Sequence, residues 1–253
     1  MMKMKYYVLA SGSKGNCAII DINGKLLVID VGITVSELES KLDDLGYSCD
    51  DIEAILITHD HNDHIKSINH FENKKIYGGS IIYNVRKENK LEAFKEYNIL
   101  DCKIVPLPLS HDSGTCFGYR IEYSEEVLVY ITDTGYISSK IVSYIFGANY
   151  YIFESNHNVR MLMNTKRPMY LKQRIVSDVG HMSNEDASFV LSKIITNETK
   201  DVILAHVSQE ANSKEVALET FYKVCKKNNV DLSNINVKVA DQYEITDLNF
   251  VEV

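Results

Sequence analysis

Thr58-His59-Asp60-His61-Asn62-Asp63-His64 holds three of the chain's eight histidines and two carboxylates within seven residues. The apolar run Ile52-Glu53-Ala54-Ile55-Leu56-Ile57 leads into it as a strand, and a helix is expected to begin at Ile65. Imidazole nitrogen and carboxylate oxygen together suit zinc, iron or manganese, and donors this close in sequence need sharp backbone turns to converge. A solvated loop that merely happened to be rich in histidine would not require that spacing. The stretch reads as a metal site, and the rest of the chain has to say what the metal does.

The 253 residues can bury a substantial core, and 45% apolar with 25% charged residues is ordinary for a folded domain. No run approaches the roughly 18 apolar residues of a membrane helix, and Tyr6-Tyr7-Val8-Leu9-Ala10 is too short for a secretory signal, so a first strand and no membrane association are expected. Cys17, Cys49, Cys102, Cys116 and Cys225 are odd in number, widely spaced and without a C-x-x-C pair, which argues for a reducing cytoplasm and against disulfides or a zinc knuckle. A net charge of −8 gives no reason for the whole surface to attract nucleic acid, so a local basic patch would be needed.

Strands are expected at 4–10, 17–22 and 25–30, the last two joined by the hairpin signal Asn23-Gly24. The loop Ser11-Gly12-Ser13-Lys14-Gly15-Asn16 has the composition of a tight turn and equally of an anion-approaching loop. Helices are expected at 34–45 with Ser36 as its cap, at 65–72 carrying His70, and at 137–146, 158–163, 168–176, 184–195 and 213–228. Strands fall at 103–106, 116–123, 126–132, 150–153, 201–205, 235–240, 243–246 and 248–252. Seven acids and one lysine between Glu37 and Glu53 make a solvated face turned away from any polyanion. Strands alternate with helices and no Pro/Gly-rich linker interrupts them, so a single α/β domain over 1–253 is expected. Asp30, His59, His111, Asp133, Glu154 and His206 each stand at or just past the end of an apolar strand. Polar residues at strand ends converge on a shared rim in sheet-based enzymes.

The order H-x-H-x-D-H, then a lone His, an Asp after a strand and a final His resembles the metallo-β-lactamase fold, and the resemblance spans most of the chain, from Asp30 to His206. It implies an αβ/βα four-layer sandwich with two divalent metal ions at the sheet edges, zinc or manganese, with iron also admissible. Position by position it implies His59, His61 and His111 on one metal, Asp63, His64 and His206 on the second, and Asp133 between them. Ser-Gly-Ser-Lys-Gly-Asn-Cys at 11–17, Glu-Ser-Asn-His at 154–157, Gly-His-Met-Ser-Asn-Glu-Asp-Ala at 180–187 and Ala-His-Val-Ser-Gln-Glu-Ala-Asn at 205–212 resemble the bacterial YycJ/VicX/WalJ family. That resemblance implies a 5′→3′ exonuclease acting on DNA ends. The Gly-His-Met-Ser and Ala-His-Val-Ser segments are also similar to the tRNA-processing and RNA-degrading branches, which implies a catalytic role for His181.

Departures from other branches narrow the reading. The best-known lactamases carry a Cys where Asp133 stands, and the flavodiiron branch a Glu in place of His61. Only 21 residues separate His111 from Asp133 and 47 separate Asp133 from His181, too few for a tRNA-gripping arm or a large insert domain. In the resulting reading Asp63 positions and deprotonates the attacking water and His181 serves the leaving oxygen. Asp30 orients a neighbouring ligand loop, and Glu154 hydrogen-bonds a neighbouring histidine and fixes its tautomer. The stretch 155–177 contains Arg160, Lys166, Arg167, Lys172 and Arg174 and no acid, and with His157 it forms the candidate substrate lip, although a merely solvated helix face would share that composition. No obligate protein partner is expected. A small-molecule hydrolase on the same metal core (a thioesterase, lactonase or cyclic-phosphodiester hydrolase) is the competing expectation, which the acidic total and modest length leave open.

Overall fold

Successive residues of the apolar strands bury on opposite faces, and that period of two builds two sheets with a core on each side of both. A computed structural model describes residues 4–79, 82 and 84–247. The first sheet takes β1 (Lys5–Ala10), β2 (Cys17–Ile22), β3 (Lys25–Ile29), β4 (Ile52–Leu56) and β5 (Lys75–Tyr77) in sequential order. The second runs β12-β11-β10-β9-β8-β7-β6, from β6 (Tyr97–Ile99), β7 (Cys102–Pro108), β8 (Phe117–Tyr123), β9 (Glu126–Ile131), β10 (Tyr150–Glu154), β11 (Asp201–Ala205) and β12 (Asn236–Val239). Helices α1 (Val35–Asp44), α2 (Asn62–Ile65), α3 (Ser139–Ile145), α4 (Val159–Asn164), α5 (Met169–Ile175), α6 (Asn184–Ile194) and α7 (Lys214–Lys227) complete the framework.

Leu27, Ile29, Ala54 and Leu56 meet Leu128, Tyr130, Ile152 and Ile203 in the core between the sheets. Their neighbours Val28 and Ile55 face outward onto Leu38 and Leu42 of α1. Val129, Phe153 and Leu204 likewise face Ile141, Leu191 and Phe221 of α3, α6 and α7. The result is helix, sheet, sheet, helix: the αβ/βα sandwich expected from the sequence.

β3 pairs with β4 in parallel, as do β9, β10 and β11 with one another, so their carboxyl ends open on one rim. Register then decides who meets whom. Ile29 lies opposite Leu56, which brings Asp30 beside Thr58, and Glu154 lies opposite Ala205, one residue before His206. Asp30, Asp133 and His206 all have positive φ, of 60°, 56° and 53°. A left-handed residue directly after a strand turns the chain sharply, and Asp and His tolerate that region better than branched residues do.

Most expected elements stand within a residue or two of their positions. The 65–72 helix does not: α2 ends at Ile65 and only a 3₁₀ turn, Ile68–Phe71, follows, leaving His70 exposed. Thr34, not Ser36, caps α1 by accepting from Glu37 N. At 243–246 only Thr246 pairs, across to Val8, and the strand expected at 248–252 lies outside the described residues.

Of the five cysteines, Cys17, Cys102, Cys116 and Cys225 are buried and Cys49 is half-buried. Burial pushes the Cys102 and Cys225 thiols up to about 12. Because the thiolate is the reactive form, titration of the native protein with a thiol reagent at pH 8 is expected to label Cys49 alone, and the other four only after denaturation. Rapid labelling of all five would contradict this packing.

Candidate metal centre

The loop after β4 carries its histidines into the rim by closing a short turn: His64 N and Ile65 N both donate to His61 O, which starts α2. His61 Nδ1 lies 3.3 Å from His111 Nε2, and the His59 ring centroid is 4.5 Å from that of His61 and 5.0 Å from that of His111. His59, His61 and His111 each bring a ring nitrogen into a cluster spanning 4.8 Å. A second cluster joins Asp133, Glu154, His181 and His206, and a third joins His59, His64 and Asp133.

Asp133 is the link between them. Its Oδ1 lies 3.0 Å from His206 Nδ1 and 4.0 Å from His111 Nε2, while its Oδ2 lies 3.0 Å from His64 Nε2. Asp63 Oδ2 is 3.6 Å from His64 Nε2, and Asn16 Nδ2 stands between them at 3.4 Å and 3.1 Å.

The far nitrogens are fixed from behind, as metal-binding histidines require. His64 Nδ1 sits 2.7 Å from Asp30 Oδ2, and Asp30 also accepts from Thr58 N at 2.8 Å and Thr58 Oγ1 at 2.9 Å. Thr58 Oγ1 is 3.0 Å from His59 Nδ1, and the Gly180 carbonyl is 3.3 Å from His111 Nδ1. Each of these contacts leaves Nε2 as the nitrogen aimed into the cluster.

Three buried atoms here, His59 Nε2, His206 Nε2 and Asp133 Oδ2, have no hydrogen-bond partner; Asp133 Oδ2 is near His64 but outside hydrogen-bond geometry. Orphaned buried donors and acceptors are costly unless something unshown satisfies them, and their chemistry is that of divalent-metal ligands. Burial drives the His59 pKa far down, so its ring stays neutral with a lone pair to give. Burial opposes charge on His206 too, but Asp133 and Glu154 overcome it and lift the ring to about 10. The three orphaned atoms and the converging imidazoles and carboxylates are a donor set that fits divalent metal.

Glu154 is fully buried and saturated. Its Oε2 accepts from Thr134 N at 3.0 Å and Met182 N at 3.1 Å, while Oε1 lies 2.7 Å from His181 Nδ1 and 3.2 Å from His206 Nδ1. Burial works against its charge, yet His181 and His206 hold the carboxyl at about 2. His181 is fixed at its backbone by donating to Ile175 O, and its side chain stays 21% exposed at the cluster's open side.

The Beta-lactamase superfamily domain matches residues 27–207. Over 230 residues the chain is 35% identical to Exodeoxyribonuclease YycJ of Bacillus anthracis, covering 85% of this chain and 87% of that protein. Exodeoxyribonuclease WalJ of Streptococcus pneumoniae is 33% identical over 228 residues, covering 84% and 85%. The chain belongs to the YycJ/WalJ family of the β-lactamase superfamily. Its fold is that of the metallo-β-lactamase fold protein YhfI from Bacillus subtilis, with a TM-score of 0.68, 19% identity and coverage of 97% and 99%.

In this YycJ/WalJ-family chain six of the seven residues expected as ligands, His59, His61, His64, His111, Asp133 and His206, fall within these clusters, and Asp63 stands beside them, 3.6 Å from His64 Nε2. The expected substrate lip is only partly a surface. His157 is 1% exposed and its Nδ1 is enclosed, so it does not reach a substrate in this conformation. Lys172 is 6% exposed, because its Nζ donates to Met163 O and Thr165 O and ties α4 to α5. Arg167 pairs with Glu210 at 2.8 Å, and Arg174 Nε donates to Asp112, so acids from outside the stretch neutralise part of it. Arg160 and Lys166 remain exposed.

Three contributors went unassigned in the sequence reading. Asn16 reaches His64, Thr58 anchors two histidines, and Asp112 Oδ1 lies 3.5 Å from His111 Nε2 and 3.9 Å from His61 Nε2. Only Asp112 carried a sequence signal, its place directly after His111. The Ser11–Asn16 loop is no anion cradle: Gly12 N donates to Asn16, Lys14 N to Gln242, Gly15 N to Gly12 O and Asn16 N to Asp63 O.

Proposed function

We propose that the chain is a dinuclear metal-dependent phosphodiesterase that removes nucleotides from DNA ends in the 5′→3′ direction. The observation that carries the two-metal reading is the position of Asp133, whose two oxygens face His206 and His64 on opposite sides while His59, His61 and His111 gather next to it. His59, His61 and His111 would hold one ion, Asp63, His64 and His206 the other, with Asp133 shared. Two such ions, when bound, supply Lewis acidity that lowers the pKa of water toward about 7 and neutralises charge gathering on phosphoryl oxygens.

The remaining work falls to side chains. Asp63, anchored by Asn16 and still partly open to solvent, orients the attacking water and takes its proton. Glu154 holds His181 through Nδ1, which leaves Nε2 free to give a proton to the departing oxygen. The names of the YycJ and WalJ relatives make DNA the polymer to test. No described helix is long and apolar enough to cross a membrane.

Purified protein given 5′- and 3′-labelled DNA and RNA with Mn²⁺ or Zn²⁺ is expected to release nucleotides stepwise from DNA 5′ ends, and Asp63→Ala to release none. Turnover of a small ester with no cleavage of any polymer would replace this reading with a small-molecule hydrolase.

A further inference from the structure

Three segments meet at Glu154. One follows β10 and begins with Glu154 itself, one leads into α6 and carries His181, and one follows β11 and carries His206. Each also contributes a buried asparagine: Asn156, Asn184 and Asn212. None of the three belongs to the metal clusters or touches solvent appreciably, and the chemistry described above uses none of them.

Asn184 and Asn212 face each other as two amides. Asn184 Nδ2 donates to Asn212 Oδ1 at 2.9 Å, and Asn212 Nδ2 donates back to Asn184 Oδ1 at 2.8 Å. A reciprocal pair fixes rotation as well as distance, because each N–H must lie near the plane of the carbonyl it meets. The same pair reaches the third segment: Asn212 Nδ2 lies 3.1 Å from both Ser155 O and Asn156 O, and Ser155 Oγ donates to Asn184 Oδ1 at 2.7 Å. Asn156 closes the linkage on the histidine loops, donating from Nδ2 to His206 O at 2.9 Å and from its backbone N to Met182 O.

These bonds set the surroundings of one carboxylate oxygen. Glu154 Oε1 faces His181 Nδ1 at 2.7 Å and His206 Nδ1 at 3.2 Å, and it can hold both rings only while the two loops keep their spacing. Stability alone does not call for amides here. A buried neutral hydrogen bond adds little net over an apolar pair of the same shape, whereas a satisfied polar network selects one geometry.

We propose that the Asn184–Asn212 pair is the positioning device of the centre, fixing the loops of His181 and His206 about Glu154. This assignment rests on the metal-dependent nuclease reading and deepens it: proton delivery and one of the ions depend on residues that no substrate can touch.

Asn184→Ala, Asn212→Ala and the double variant test it, each compared with wild type well below its melting temperature. Affinity for one equivalent of Zn²⁺, measured without DNA by competition with a chromophoric chelator, is expected to weaken roughly 10- to 100-fold. On DNA kcat is expected to fall about 100-fold, with KM within about twofold. Because the amides act as one unit, the double variant is expected to lose about as much as either single variant, not the product of the two losses. Should the asparagine variants not fold, Ser155→Ala, which removes one hydrogen bond and leaves both amides, is expected to lower kcat roughly 3- to 10-fold. A lower melting temperature with wild-type zinc affinity and kcat in the folded variants would overturn the proposal and leave the pair a structural one. Losses that multiply in the double variant would overturn its action as a unit. Failure of the wild type to cut any DNA would remove the nuclease reading, and the zinc affinities would still decide whether the pair positions the centre.

Discussion

Exchange of His181 for alanine is expected to lower kcat on DNA by roughly 10²–10⁴-fold, the usual contribution of a positioned proton donor. Metal content should stay at the wild-type value and KM should change by less than about twofold. His181 is pinned by Glu154 at 2.7 Å, yet it keeps part of its ring open to the face where substrate must arrive. A group that protonates the leaving oxygen matters in proportion to how poor that leaving group is. The loss should therefore shrink sharply on a nitrophenyl diester, whose leaving group departs unprotonated. Equal loss on both substrates would refute proton donation. Loss of a metal equivalent would instead make His181 a ligand, as its clustering with Asp133, Glu154 and His206 permits. Glu154→Gln is expected to follow in the same direction by about 10–100-fold, because the carboxylate sets the orientation of both His181 and His206.

The strands and the histidine cluster were legible in the sequence because both rest on local patterns, whereas the two-sheet sandwich was implied by the resemblance to the metallo-β-lactamase fold. Apolar runs marked the strands, and the spacing of His59, His61 and His64 already demands a turn at a strand end. The contacts that hold the cluster were not legible. Thr58 and Asp30 meet only through the β3–β4 register, and Asn16 reaches His64 from a loop 48 positions away in the chain. The basic stretch misled in a specific way. A lysine on a short helix reads as solvated, but Lys172 finds two carbonyl oxygens freed where α4 ends, and turns inward to satisfy them. Nor does composition reveal that Glu210 and Asp112, outside the stretch, pair with two of its arginines.

The three left-handed residues carry the chemistry of the site into its backbone. Asp30, Asp133 and His206 each stand where the strand must turn at once; the side chains of Asp133 and His206 then meet in the cluster, while Asp30 reaches the far nitrogen of His64. A left-handed conformation costs a non-glycine residue roughly 1–2 kcal/mol, and such costs persist where the surrounding structure over-determines them. Here the hydrogen bonds from Thr58 to Asp30 and from His206 N to Ser11 Oγ do so.

Gly32→Ala is expected to have the largest effect on stability of any single methyl added to this chain, at about 3 kcal/mol or more. A Cβ built there falls 1.7 Å from Asp63 O, 2.4 Å from Asp63 C and 2.7 Å from Asn16 N. These are backbone atoms of two other segments, and no side chain can rotate away to make room. The segments are also sewn together at this point: Gly32 N donates to Asn16 O, Asn16 N to Asp63 O, and Val31 N to His64 O. Relief of the clash must move the loop bearing Asp63 and His64, so metal loading should fall with the melting temperature. Gly24→Ala is the control, since nothing lies within 4 Å of its Cβ while its φ of +81° is unfavourable for alanine. That variant should lose only about 1 kcal/mol, the conformational penalty alone, and should keep its full metal content. Thermal melts with metal analysis on both variants check the pair. A Gly32→Ala protein with wild-type melting temperature and metal content would show that this close approach is not what holds the Asp63 loop in place.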